Sequence, residues 1–264
     1  MIIDAHIHVG QWTHADFLGR GTTVAEVCRV LRDADVDGAA LMPTDDLDNQ
    51  GLLHAIKRDG GNRALWMFAW VRPTGVEGVL DDGDLSWVAD HAAEITGIKI
   101  HPSLSRVRVT DDRFRAALDL AQVHNLIVLV HCGRWQEMAS YRFAIEAAQA
   151  YPSVRFLLAH GGGDTPPLST AAAERVAETK VDNVWFDFSG VREYWVIERN
   201  IRRIGADRYL MGSDFSLAHP LMYLGAVAAM SISPREKERI LGGNAVALFG
   251  QPVNPLAHPK ASQQ

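Results

Sequence analysis

The first chemistry in the chain is Asp4-Ala-His6-Ile-His8. In an extended strand, side chains at i and i+2 point to one side. Asp4, His6 and His8 are therefore expected to share a face, and two imidazoles so spaced near a strand's carboxyl end can converge on one cation. A lone His-x-His is more often a pair of satisfied core histidines. Three further stops change that balance. His131 ends Val128-Leu-Val, His160 ends Leu157-Leu-Ala, and Asp214 follows Leu210-Met-Gly-Ser. Each time an apolar run halts at a residue able to bind metal, followed by glycine or a loop. Ionisable groups are costly to bury unless paired or metal-bound, so five meeting in one place are hard to explain as packing.

Eight apolar runs, each followed by an amphipathic segment, must position these residues. The runs are Ile2–Val9, Gly38–Met42, Ala64–Val71, Gly97–Ile100, Leu126–Val130, Arg155–Ala159, Val184–Phe188 and Arg208–Met211. Near-continuous hydrophobicity suits parallel strands buried on both faces. Helical spacing follows in Val24-Val27-Val30-Leu31, Phe114-Ala117-Leu118-Ala121 and around Phe143-Ile145-Ala148. Further helices are expected at Leu85–Ile95, Ala171–Val176, Trp195–Ile204, Pro220–Met230 and Pro234–Phe249. Eight such units predict an α/β fold, a closed (β/α)8 TIM barrel over residues 1–250, whose strand ends meet at one rim. An open doubly wound sheet fits less well, since no GxGxxG follows the first strand. Residues 251–264, with three prolines, are expected to be a loose tail.

The composition narrows the partners. Of 264 residues, 47% are hydrophobic and 22% charged, the balance of a globular protein with a core that needs no staple. A net charge of -6 offers no basic stripe for nucleic acid or an anionic membrane. No apolar run approaches the ~20 residues of a membrane span. Metal-type ligands begin at residue 6, so no cleavable leader is expected. Cys28 and Cys132 form no CxxC pair and read as reduced thiols, hence a cytoplasmic protein.

The pieces Asp4-Ala-His-Ile-His8, Gly97-Ile-Lys-Ile-His-Pro102, Val130-His-Cys-Gly133, Ala159-His-Gly-Gly-Gly163, Gly212-Ser-Asp214 and Gly242-Gly-Asn-Ala-Val-Ala-Leu-Phe249 span almost the whole chain. In that order they make the sequence resemble the amidohydrolase superfamily of metal-dependent (β/α)8 barrels. The closer resemblance is to the amidohydrolase-2 branch, which includes aminocarboxymuconate-semialdehyde decarboxylase. The resemblance implies that His6, His8, His131 and Asp214 ligate a metal, and that His160 is the general base or an electrophilic donor. Three imidazoles, a carboxylate and an open position make a zinc-like catalytic set, with manganese or another divalent ion as alternatives. For Lys99 the resemblance implies a carboxylated bridge between two metals or, with the single metal usual in this branch, an anchor for a substrate anion; the simpler reading is a lysine paired with a neighbouring carboxylate.

Weaker candidates surround this set. Arg72, Arg134 and Arg192 follow strands and can clamp a carboxylate, although each alone reads more simply as a solvated loop arginine. Trp12, Trp135 and Trp195 can form an aromatic wall. His101 shares the parity of Lys99, against a simpler reading as a surface histidine before Pro102. Gly161-Gly-Gly163 lacks the pattern of a phosphate loop.

The functional expectation is a hydrolase of a small-molecule amide, lactone or related C–N or C–O bond, using metal-activated water. The alternative is a non-oxidative decarboxylase of a small unsaturated or aromatic acid, and the same ligands serve both. Several rim arginines favour the decarboxylase; the short chain, with little room for large insertions, favours the hydrolase. A scaffold that has lost activity is a third reading, opposed by the intact ligand set. Barrels of this kind often pair, so a homodimer is possible.

Overall fold

The computed structural model describes residues 1–254 except 18, 47 and 74–82. β1 (Ile3–Gln11) is followed by a short β2 (Gly21–Thr22) that folds back antiparallel on its end. Seven strands follow, each parallel to its neighbour: β3 (Gly38–Pro43), β4 (Ala64–Trp70), β5 (Gly97–Ile100), β6 (Ile127–Val130), β7 (Arg155–Leu158), β8 (Val184–Asp187) and β9 (Tyr209–Leu210). The order β2-β1-β3-β4-β5-β6-β7-β8-β9 is closed by the stretch beyond β9. Ala5 N donates to Met211 O at 2.8 Å, Asp214 N to His6 O at 2.8 Å and His8 N to Phe215 O at 2.7 Å. The eight parallel strands therefore form the expected barrel.

The double-sided hydrophobicity of the strands has a direct cause. Ala40, Met42, Trp66, Phe68, Leu129 and Leu157 pack inside the barrel, while Ala39, Leu41, Leu65, Met67, Val128 and Phe156 pack under the helices. Those helices are α1 (Val24–Asp33), α2 (Asn49–Asp59), α3 (Gly83–Asp90), the four-residue α4 (Pro102–Ser105), α5 (Arg115–Val123), α6 (Tyr141–Ala150), α7 (Pro166–Thr179), α8 (Tyr194–Ile204) and α9 (Pro220–Ala229). α1 begins with a Thr23–Glu26 capping box. α2 is a helix beyond those expected from the sequence: Asp48 caps it, and Leu52, Leu53 and Ile56 form its buried face. The helix expected over Leu85–Ile95 ends earlier, at Asp90.

The helix expected over Pro234–Phe249 is broken into α10 (Pro234–Glu238), a π-helical turn at Arg239–Gly243 and α11 (Asn244–Phe249). Outside partners cause the break: Ile240 O accepts from Met211 N at 2.9 Å, and Gly242 packs so closely that a Cβ would lie 2.2 Å from Met1 O. α11 then plugs the barrel interior, with the Phe249 ring 5.8 Å from Trp66 and 5.6 Å from Phe68. Arg155, the first residue of β7, donates to Leu248 O at 2.7 Å. The plug thus sits at the amino ends of the strands and leaves the carboxyl ends for chemistry. The stretch expected to be loose from Gln251 begins with Val253 N donating to Leu65 O at 2.7 Å; its residues 255–264 lie outside the described residues.

Candidate metal centre

β1 carries a bulge that decides what faces the barrel axis. Its pairing with β3 slips between Asp4 and Ile7. Ile3 and Ala5 belong to the interior cluster, whereas Ile7 and Val9 belong to the outer one. The extra residue leaves Ala5 and His6 both turned inward and breaks the alternation that was expected to align Asp4 with the histidines. Asp4 instead uses Oδ1 to accept from His6 N at 3.1 Å and Ser213 N at 2.9 Å, locking the bulge to the end of β9. Complete burial pushes the Asp4 carboxyl up to about 7.

His6 and His8 turn their Nε2 atoms toward each other, 3.2 Å apart. Asp214 Oδ1 lies 3.6 Å from the first and 3.5 Å from the second, and the ligand atoms of all three fall within 4.8 Å of one another. The tautomers follow from the partners on the far side of each ring. His6 Nδ1 faces Asp187 Oδ2 at 3.1 Å, and His8 Nδ1 faces Pro43 O at 2.8 Å. Carboxylate and carbonyl oxygens only accept, so each Nδ1 carries the ring proton. Both Nε2 lone pairs then point into one space beside a carboxylate oxygen. Burial holds both imidazoles well below their ordinary value, and nearby Lys99 reinforces this, so neither ring relieves the repulsion by protonating. A donor set of this chemistry fits a divalent cation.

Lys99, inward on β5 and fully buried, brings Nζ to 3.3 Å from His6 Nε2. Burial lowers its ammonium below the usual range, partly offset by Asp214 and Asp187. The same desolvation raises the Asp214 carboxyl, and Lys99 moderates the rise. His131, just beyond β6, lies outside the three-residue group: its Nδ1 is 3.0 Å from His160 Nε2. His160 follows β7 in left-handed backbone at φ 58°, and Asp214 is likewise left-handed at φ 60°. Such non-glycine conformations are uncommon and mark positions that the surroundings impose. His160 Nδ1 lies 3.0 Å from Ser189 O and 3.0 Å from Ser189 Oγ, with Gly190 packed so closely that a Cβ there would come within 3.1 Å of the same nitrogen. With its proton on Nδ1, His160 keeps a lone pair at Nε2 beside the cluster.

The sequence reading missed Asp187, at the end of β8. It is fully buried, holds His6 through Oδ2, and accepts at Oδ1 from Ser189 N at 3.1 Å and from the Ser189 hydroxyl. The usable signal was the one noticed elsewhere, a polar residue ending an apolar run. Extending that run through Phe188 hid it.

The weaker candidates separate. Arg192 and Trp135 lie on rim loops and are exposed, Arg72 is half-buried just beyond β4, and the exposed Arg134 pairs with Asp164 at 2.7 Å. Of the expected tryptophan wall only Trp12 reaches the site, 4.8 Å from the His8 ring; Trp195 is 51% exposed. Trp70 and Phe17 complete the wall instead, at 6.2 and 4.3 Å from Trp12. His101, with readings at the rim beside Lys99 and at the surface, is buried against His131.

A closed (β/α)8 barrel with histidines and carboxylates gathered at the carboxyl ends of its strands defines a class of metal-site enzymes. The family model described as "Amidohydrolase" matches residues 3–251, and the chain belongs to that family. No curated protein sequence matches it. Among solved structures, it is similar to 5-carboxyvanillate decarboxylase from Sphingomonas paucimobilis, with 13% identity, TM-score 0.68 and coverage of 95% of this chain and 99% of that one. A probable 2-pyrone-4,6-dicarboxylic acid hydrolase from Acinetobacter baumannii, with citric acid bound, has 17% identity and TM-score 0.70 over 94% and 99% of the two chains. An amidohydrolase from Burkholderia multivorans with bound zinc has 15% identity and TM-score 0.69 over 96% and 100%. Among the described residues, no helix is long and apolar enough to cross a membrane.

Proposed function

We propose that this amidohydrolase-family enzyme hydrolyses an amide, lactone or related C–N or C–O bond in a small molecule, using one divalent metal, zinc foremost. The observation that carries the reading is the pair of His6 and His8 Nε2 lone pairs 3.2 Å apart, with Asp214 Oδ1 at 3.6 and 3.5 Å. His131, whose Nδ1 lies 3.0 Å from His160 Nε2, is assigned as a further ligand. When bound, the cation polarises a substrate oxygen and lowers the pKa of water toward ~7.

The side chains supply the rest. His160 accepts a proton at Nε2 while Ser189 holds Nδ1. Asp214, beside both β1 imidazoles, is the second proton-transfer group. Asp187 keeps His6 in the Nδ1–H form. The Trp12, Trp70 and Phe17 wall excludes water on the His8 side. Lys99, 3.3 Å from His6 Nε2, offers a buried amine to a substrate anion; the family resemblance makes it the residue that would be carboxylated if a second metal were held. Arg72, Arg192 and Trp135 are assigned to the outer, substrate-binding rim. Free thiols at Cys28 and Cys132 agree with a reducing, cytoplasmic setting.

Non-oxidative decarboxylation uses the same inner groups and draws support from the structural likeness to a decarboxylase. Hydrolysis is favoured because Arg192 is exposed and Arg134 is engaged by Asp164. The test is a screen of the zinc-loaded protein against small lactones, amides and carboxylated aromatics. Acid release without carbon dioxide supports hydrolysis; carbon dioxide release overturns it in favour of the decarboxylase.

A further inference from the structure

His101 is a buried imidazole left without a part in that mechanism. It lies two residues beyond Lys99, and its ring stacks face to face on His131 with centroids 3.8 Å apart and planes 12° apart. Its other face meets Trp70 at 5.3 Å and 7°. Trp70 is itself fixed: Asn49 Nδ2 donates to its carbonyl at 2.9 Å and Asn49 Oδ1 accepts from its amide at 2.8 Å. Clamped between two rings, the imidazole has no room to turn.

Its tautomer is fixed as well. Nδ1 accepts from the backbone N–H of Leu104 at 3.3 Å, capping the short α4. A backbone amide only donates, so Nδ1 bears the lone pair and the proton of the neutral ring sits on Nε2. Among the described residues no hydrogen bond engages that Nε2–H, and the 7% exposure that His101 keeps leaves a donor open at the rim. This donor belongs to a ring lying flat against His131 at the inner side of the rim.

We propose that His101 is a substrate-positioning donor, whose Nε2–H binds the carbonyl-type oxygen of a lactone, ester or amide held at the His6–His8–Asp214 centre. This rests on the hydrolase reading above. Attack on such a carbon moves negative charge onto that oxygen, and a rigid, preoriented N–H in a site shielded from water meets it without reorganisation. The cap fixes which nitrogen donates, and the Trp70–His131 sandwich fixes the aim.

Two conservative variants separate this role from a structural one. Asn places an acceptor near the position of Nδ1 and nothing at Nε2, so His101→Asn keeps the cap and loses the donor. Gln places an amide near Nε2, so His101→Gln keeps a donor and loses the cap. In the zinc-loaded protein, with acetohydroxamate as the oxygen-bearing probe, His101→Asn should bind the probe about 3- to 10-fold more weakly with an unchanged melting temperature. His101→Gln should melt lower yet bind within about 2-fold of the parent. The reverse order, or equal affinity in all three, would overturn the proposal. Long-range proton–nitrogen correlation spectra of the parent should show the Nε2–H tautomer at His101, and an Nδ1–H tautomer would also end it. If the parent takes up no zinc at all, the functional reading itself fails; if zinc and probe bind normally and only the His101 pattern is absent, this proposal alone falls.

Discussion

Oδ2 of Asp187 lies 3.1 Å from Nδ1 of His6, and both side chains are fully removed from solvent. The carboxylate stands on β8 and the imidazole on β1, 181 positions apart in sequence. It fixes the His6 proton on Nδ1, leaves Nε2 free to ligate, and makes the imidazole a stronger base.

Asp187→Asn should therefore weaken zinc binding by about 10- to 100-fold while the barrel stays folded. Competition with a chromogenic chelator reads this directly. Affinity equal to the parent's would remove Asp187 from the site.

His131 and His160 face each other at 3.0 Å and should still respond differently. His131→Ala should lose most of its bound metal. His160→Ala should retain the metal and lose turnover by roughly 10²–10⁴, the usual size of an acid–base contribution. Elemental analysis of the two variants beside their rates distinguishes a ligand from a base.

Acidification should release the metal through Asp214. Burial raises this carboxyl from its ordinary range, so in the metal-free protein it holds its proton to higher pH than an exposed aspartate. Metal binding must displace that proton, and the logarithm of zinc affinity should rise with pH by up to about one per unit until the carboxyl is ionised. His6, His8 and His131 have values held well below normal and are already neutral, so they add no slope near neutrality. Calorimetric titrations at several pH values test this, and a pH-independent affinity would contradict it.

Much of the architecture was legible because parallel barrel strands bury both faces and so stand out as short apolar runs. His131, His160 and Asp214 were readable as the polar stops of such runs. Other features depend on tertiary geometry. The bulge between Asp4 and Ile7 inserts one residue and takes Asp4 off the face shared by His6 and His8, and strand alternation cannot anticipate it. Asp187 looked like one more residue inside Val184–Phe188. The sequence leaves His101 between the rim and the surface, because stacking on Trp70 and His131 exists only after β4, β5 and β6 align. The last helix read as continuous because the contact of Gly242 with Met1 joins the two ends of the chain.

That contact gives a stability prediction away from the site. In Gly242→Ala the added methyl would lie 2.2 Å from Met1 O, so backbone must shift. Overpacking of this kind costs about 1–3 kcal/mol. Urea denaturation should show a lower midpoint with an unchanged slope, and zinc stoichiometry should stay at the parent's value.

The central claim is that imidazoles and a carboxylate from opposite ends of the chain hold one divalent ion. Elemental analysis of the purified protein after zinc loading and exhaustive dialysis tests it most directly, run beside the double variant His6→Ala/His8→Ala. One equivalent of zinc per chain in the parent and essentially none in the folded variant is the expected result. A parent that retains no metal, or a variant that retains a full equivalent, would contradict it.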